Sequence, residues 1–178
     1  MRKFWLMLTD ARIRAVLGTL RTAGPGLGEL AERPGAAPAF FKPLRSALTA
    51  AAAAPPSSAA ASRALAAARD FTARLEKVFS DLALHETLPD AAAMEALLCL
   101  QRACYEADGL LSAGGRAGAA AAIRGLAAGA RKSLALARSA AASSPADFPQ
   151  NLKFSSIYSA LEAVFDAYER CAEALFKT

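Results

Sequence analysis

Apolar positions recur every third or fourth residue along most of this chain, and no segment alternates with the period of two that a half-buried strand needs. The clearest case is the last segment. There Phe154, Ile157, Leu161, Val164, Tyr168, Cys171 and Leu175 form one seam of a helix spanning about residues 153–176. A second seam runs through Leu65, Phe71, Leu75, Val78, Phe79 and Leu82, within a helix expected over about residues 58–84. Pro, Gly and Ser punctuate the rest at Gly24-Pro25-Gly26, Arg33-Pro34-Gly35, Pro55-Pro56-Ser57-Ser58, Thr87-Leu88-Pro89, Gly114-Gly115 and Ser143-Ser144-Pro145. Between these breaks the pattern predicts helices over about residues 10–23, 38–54, 90–113 and 116–142, with Asp10 (or Thr9) and Asp90 placed as N-caps. The fold class is therefore all-α: an antiparallel bundle of about six helices in a single domain over residues 1–178.

Composition fits this picture. The chain has 178 residues, of which 54% are hydrophobic, far too many for a disordered chain. Much of that share is Ala, which favours helix but contributes little burial per residue. The core must then consist of close-packed helices anchored by a limited set of Leu, Phe, Ile and Val. The start, Met1 to Leu8, is briefly like a signal peptide, but Asp10, Arg12 and Arg14 interrupt the apolar run, so it reads as the entry to a first helix with an aromatic anchor. No stretch of 18 residues is apolar without Pro or charge, so no membrane span is expected.

The net charge is +5, from 21 basic and 16 acidic residues that are interleaved along the chain. There is no five-residue basic run and no alternation of aromatic and basic side chains, which argues against nucleic-acid binding. The three cysteines, Cys99, Cys104 and Cys171, have no C-x-x-C spacing, and His85 is the only histidine, so no zinc site is expected. Unframed thiols of this kind suggest reduced cysteines and a cytoplasmic setting. His85 follows the end of a helix and reads as a capping or surface residue. The nucleophile-elbow, P-loop and dinucleotide-binding motifs are all missing, and so is the Glu-x-x-His pair of a di-iron bundle.

Two charged stripes remain. Glu162, Asp166, Glu169 and Glu173 fall within roughly 60° of one side of the last helix, at about 100° per residue. Carboxylates aligned this way suit either a hard cation held through oxygen or an ion-pair ladder. Arg124, Arg131 and Arg138, seven residues apart, form a matching stripe on the preceding helix, which has no acidic residue. A short connection makes these two helices antiparallel neighbours. One register then places Arg131 between Glu162 and Asp166, and Arg124 between Glu169 and Glu173. We read the acidic stripe as that ladder and expect no bound metal and no cofactor.

The segment Leu152-Lys153-Phe154-Ser155-Ser156-Ile157-Tyr158-Ser159-Ala160-Leu161-Glu162-Ala163-Val164-Phe165-Asp166, continued by Glu169 and Ala172, resembles the last helix of the PhoU-like family of phosphate-transport regulators. Leu75-Glu76-Lys77-Val78-Phe79 and Leu88-Pro89-Asp90 are similar to two other parts of it. The resemblance implies two related three-helix units and a cytosolic accessory of phosphate uptake that acts by protein contact. It also implies carboxylate motifs for metal clusters, of which only Glu162 and Asp166 are present. Where the fourth helix should carry a second pair, the chain has Gln101 with Tyr105, or Arg102 with Glu106. The expected function is thus non-enzymatic regulation of inorganic phosphate transport through a protein partner such as a transporter, with homo-oligomerisation open. The alternative is a helical adaptor or structural subunit of a larger assembly with no phosphate role.

Overall fold

The computed structural model describes residues 10–55, 58–112, 114–143 and 148–177. Among them are six α-helices and no strand: α1 (Ala11–Glu32), α2 (Ala37–Ala53), α3 (Ala59–Leu84), α4 (Ala91–Glu106), α5 (Arg116–Ala142) and α6 (Phe148–Phe176). Short 3₁₀ turns, Pro34–Ala36 and Ala107–Leu111, join α1 to α2 and extend α4. The segment Met1 to Leu8, read above as an aromatic-anchored entry, lies outside the described residues, as do Pro56-Ser57 and Ser144-Pro145.

The helix starts follow from local chemistry. Asp10 Oδ1 accepts from the N–H groups of Arg12 (2.7 Å) and Ile13 (3.3 Å), Ser58 Oγ from Ala61 (3.0 Å), and Asp90 Oδ1 from Ala93 (2.9 Å). Each satisfies N–H groups that the first turn would leave unpaired. The end of α3 is closed by Thr87 N–H to Leu82 C=O (3.0 Å) and Glu86 N–H to Ala83 C=O (3.1 Å), with Glu86 at φ 48° in the left-handed region. This is the Schellman arrangement with Glu in the place glycine favours. His85 is the C-cap residue of the same helix. The end of α2 is closed from another helix: the Arg12 guanidinium donates to the carbonyls of Ala54 (2.7 Å) and Ala52 (3.3 Å) and to Ser62 Oγ (2.6 Å).

Three helices differ from the sequence-based expectation; the fourth, expected over about residues 90–113, is α-helical only to Glu106 and continues as the 3₁₀ turn Ala107–Leu111. The pattern ends the first helix at residue 23, yet α1 continues through Gly24-Pro25-Gly26 to Glu32. Pro25 removes one N–H and crowds the preceding turn, but its glycine neighbours serve for packing. A Cβ on Gly24 would stand 3.0 Å from Cys104 Cβ, and one on Gly26 would stand 2.2 Å from the Phe40 ring. Gly24 also lends its carbonyl to Gln101 Nε2 at 3.2 Å. Helix α6 begins at Phe148, five residues earlier than expected, because Pro149 falls in its first turn, where a missing N–H costs nothing.

Successive helices run antiparallel. Helix α1 packs on α2, α3 and α4, α2 fills the flank between α1 and α3, and α5 fills the flank between α4 and α6. The largest interface joins α3 to α6. There Phe71 meets Tyr168 edge to face at 5.5 Å, with Leu75, Val78, Leu161 and Val164 fully buried around them. The Tyr168 hydroxyl donates to the Ala103 carbonyl and so ties α6 to α4 without leaving a buried polar group unpaired. The buried hydroxyls of Thr19 and Thr72 donate within their own helices, to Ala15 and Ala68 carbonyls (both 2.8 Å). No helix of the described residues is long and apolar enough to cross a membrane.

Candidate functional site

The charged stripes meet, in a shifted register. Arg131 Nη2 lies 2.6 Å from Asp166 Oδ1 and also pairs with Glu169, while Arg138 Nη2 lies 2.9 Å from Glu162 Oε2. Of the pairs that spacing proposes, Arg131–Asp166 forms; Arg131–Glu162, Arg124–Glu169 and Arg124–Glu173 do not. The expected register fitted Arg124 and Arg131 and left Arg138 aside. In the structure Arg138 takes Glu162, so α6 stands about one turn further along α5. Glu173 makes no pair with α5 and is held instead by Lys177, just past the end of α6, at 2.5 Å. Among the described residues Arg124 makes no ion pair, although it is the same distance along the stripe as its two partnered neighbours.

Hydrogen bonding to Glu169 and Asp166 holds the Arg131 proton more tightly than usual, against the opposing effect of burial. The Arg131 side chain is 33% exposed, and Asp166 57%. Each pair is therefore worth only about 0.2–1 kcal/mol. We expect Arg131→Ala to cost about 1 kcal/mol at low salt and less in 1 M salt. A double-mutant cycle with Glu169→Gln, read by urea denaturation, should return a favourable coupling; zero coupling at low salt would remove any energetic role for the ladder.

With these carboxylates engaged, no group of three or more His, Cys, Asp or Glu side chains among the described residues is arranged to hold a metal ion. On the far side of α6, Asp70 of α3 pairs with Arg170 (2.7 Å) and Arg74 (2.9 Å). Burial raises the Asp70 pKa, but the two guanidiniums outweigh it and the net shift is downward. Its contribution to stability is present above the ordinary Asp value and is lost as pH falls through the lowered one.

The three thiols are free. Cys104 and Cys171 are buried at the α1–α4 and α3–α6 contacts, and burial pushes the Cys171 thiol up to about 12 and Cys104 higher still. Half-buried Cys99 is also raised, by burial and then by Glu95, with Arg102 opposing. Native protein at pH 8 should therefore label slowly with iodoacetamide, at Cys99 alone, and at all three thiols in denaturant. Rapid native labelling of two thiols would mean that the core opens.

The surface features open to a ligand or partner include a groove and an apolar end. Between the first half of α5 and the last half of α6 lies a groove of about 470 Å³, floored by Ala117, Ala120, Ile123, Ala172 and Phe176 and edged by Arg124, Asp166 and Glu169. At the opposite end of the bundle, Leu84, Leu88, Leu136, Phe148 and Leu152 are large apolar side chains left exposed. The antiparallel helices bring the α3–α4 and α5–α6 connections to that same end. Sequence reasoning located neither feature. The apolar residues there lie off the periodic seams, and the groove depends on which Arg the ladder leaves over.

No protein-family model, curated protein or solved structure matches the chain.

Proposed function

We propose that this protein is a non-enzymatic regulator that works by protein contact, a PhoU-like accessory of inorganic phosphate transport. The observation that carries the reading is the segment Lys153 to Asp166 in the first half of α6. Its Ile157-Tyr158 and Leu161-Glu162 pattern is the part of the chain most similar to that family. The arrangement of the helices is compatible with it: α1, α2 and α3 pack together, α4, α5 and α6 pack together, and each group places its middle helix on the outer flank. The exposed apolar end at Leu84, Leu88, Leu136, Phe148 and Leu152 offers a surface for the partner.

Deleting the gene should alter phosphate uptake or growth under phosphate limitation, and tagged protein should retain a phosphate transporter in a pull-down. Phe148→Glu combined with Leu152→Glu should lose the partner while keeping the helical spectrum, because both side chains are already in solvent. Unchanged phosphate handling after deletion would reject the phosphate role. The apolar end also favours a second reading, an adaptor in an unrelated assembly. Co-purification of that assembly, abolished by the same two substitutions, would identify it.

A further inference from the structure

The groove between α5 and α6 is a gap in the ladder. At the C-terminal half of α5 the two helices are held together by Arg131 and Arg138. Seven residues earlier the next rung would be Arg124, and the side chains that should fill the interface there are Ala117, Ala120 and Ala172. Small side chains and a missing ion pair leave the space open. Its volume, about 470 Å³, lies within the range of small-molecule sites. Phe176, which lines the groove, is held from α5: the Arg116 guanidinium carbon sits 5.8 Å from the centre of its ring, and Arg116 Nη1 donates to its carbonyl at 3.1 Å.

The charges around the groove decide what it would accept. Asp166 and Glu169 are held by Arg131, Glu173 by Lys177, and Arg170 by Asp70. Of the charged residues that line the groove, Arg124 alone has no ion-pair partner among the described residues. The carboxylates are each partly neutralised by the cation they already pair with, whereas an anion finds a guanidinium with its donors free. From Ala117 to Arg124 the groove follows α5 for about 10 Å at 1.5 Å per residue, the length of an extended chain of roughly eight carbons. The floor along that path is apolar.

We propose that this groove binds an amphipathic carboxylate, with the carboxylate on Arg124 and the hydrocarbon chain along Ala120, Ile123 and Ala172 toward Phe176. Such a ligand completes the missing rung and closes α5 onto α6 along its whole length. The proposal stands independently of the phosphate-transport reading, since it concerns a different surface from the apolar end.

The test is titration calorimetry of the full chain with octanoate, with octylammonium, octanol, acetate and inorganic phosphate as comparators. Octanoate should bind saturably at one site per chain, and more tightly than any comparator. Arg124→Ala should weaken it by about tenfold or more, the loss expected for a charge-assisted hydrogen bond, and Arg124→Lys should recover part of that. Arg124 is exposed, so its removal leaves the fold intact. Ala120→Leu, which fills the floor, should also weaken binding while leaving the helical spectrum unchanged. Octanoate affinity unaffected by Arg124→Ala, equal binding of octylammonium, or phosphate binding as tightly as octanoate would each overturn the proposal.

Discussion

Phe71→Ala should destabilise the protein by about 3–5 kcal/mol, the range for removing a buried aromatic ring. Phe71 has no solvent exposure and stands at the centre of the α3–α6 interface, edge-on to Tyr168. Truncation there removes the ring's transfer energy and its contact with Tyr168, and it leaves a cavity. Collapse is limited because the surrounding Leu75, Leu161 and Val164 are themselves on rigid helices. The measurement is urea denaturation followed by circular dichroism. A loss below about 1 kcal/mol would mean that this interface repacks freely, contrary to close-packed interiors. Leu161→Ala, on the opposite side of the same contact, should cost about 2–5 kcal/mol.

The second large effect has the opposite sign. Gly118, Gly125 and Gly129 lie on the exposed side of α5, and a Cβ added to any of them meets nothing within 4 Å. Glycine in a helix interior is less favourable than alanine by about 0.8–1 kcal/mol. Replacing all three by Ala should therefore stabilise the protein by about 2 kcal/mol, most of it from Gly125 and Gly129, since Gly118 falls in the first turn of α5. Gly24 is the contrast: there the new methyl would press on Cys104 at 3.0 Å, and the propensity gain is offset by crowding. Equal effects at Gly24 and at the three exposed positions, in thermal or urea denaturation, would contradict this account.

The same contrast explains what the sequence could and could not reveal. Asp10, Ser58 and Asp90 are residues whose side chains act on the backbone within three residues. The starts of α1, α3 and α4 were therefore legible from local chemistry alone. The apolar seams of α3 and α6 were legible too, since their period already says which residues share a face. Gly24-Pro25-Gly26 misled because its glycines answer to partners distant in sequence, Cys104 and Phe40. The ladder was half legible. Spacing identified the stripes and the pair Arg131–Asp166, but two stripes of period near seven fit in more than one register. The register was then set by Arg138 and by Lys177, which lies within reach of Glu173. The groove at Arg124 is a remainder of that register and has no signature of its own.

The dominance of the α3–α6 interface has a consequence for how the chain comes apart. Neither residues 10–84 nor residues 90–177 can bury their apolar faces alone, since Phe71 and Leu75 are covered by Leu161 and Tyr168 across the interface. The two segments should not behave as separate foldons. Calorimetry should record one cooperative transition, with the van't Hoff enthalpy equal to the calorimetric one. Folding should be slower than the short local connections suggest, because the decisive contacts join residues nearly a hundred positions apart in sequence and must await closure of that long loop.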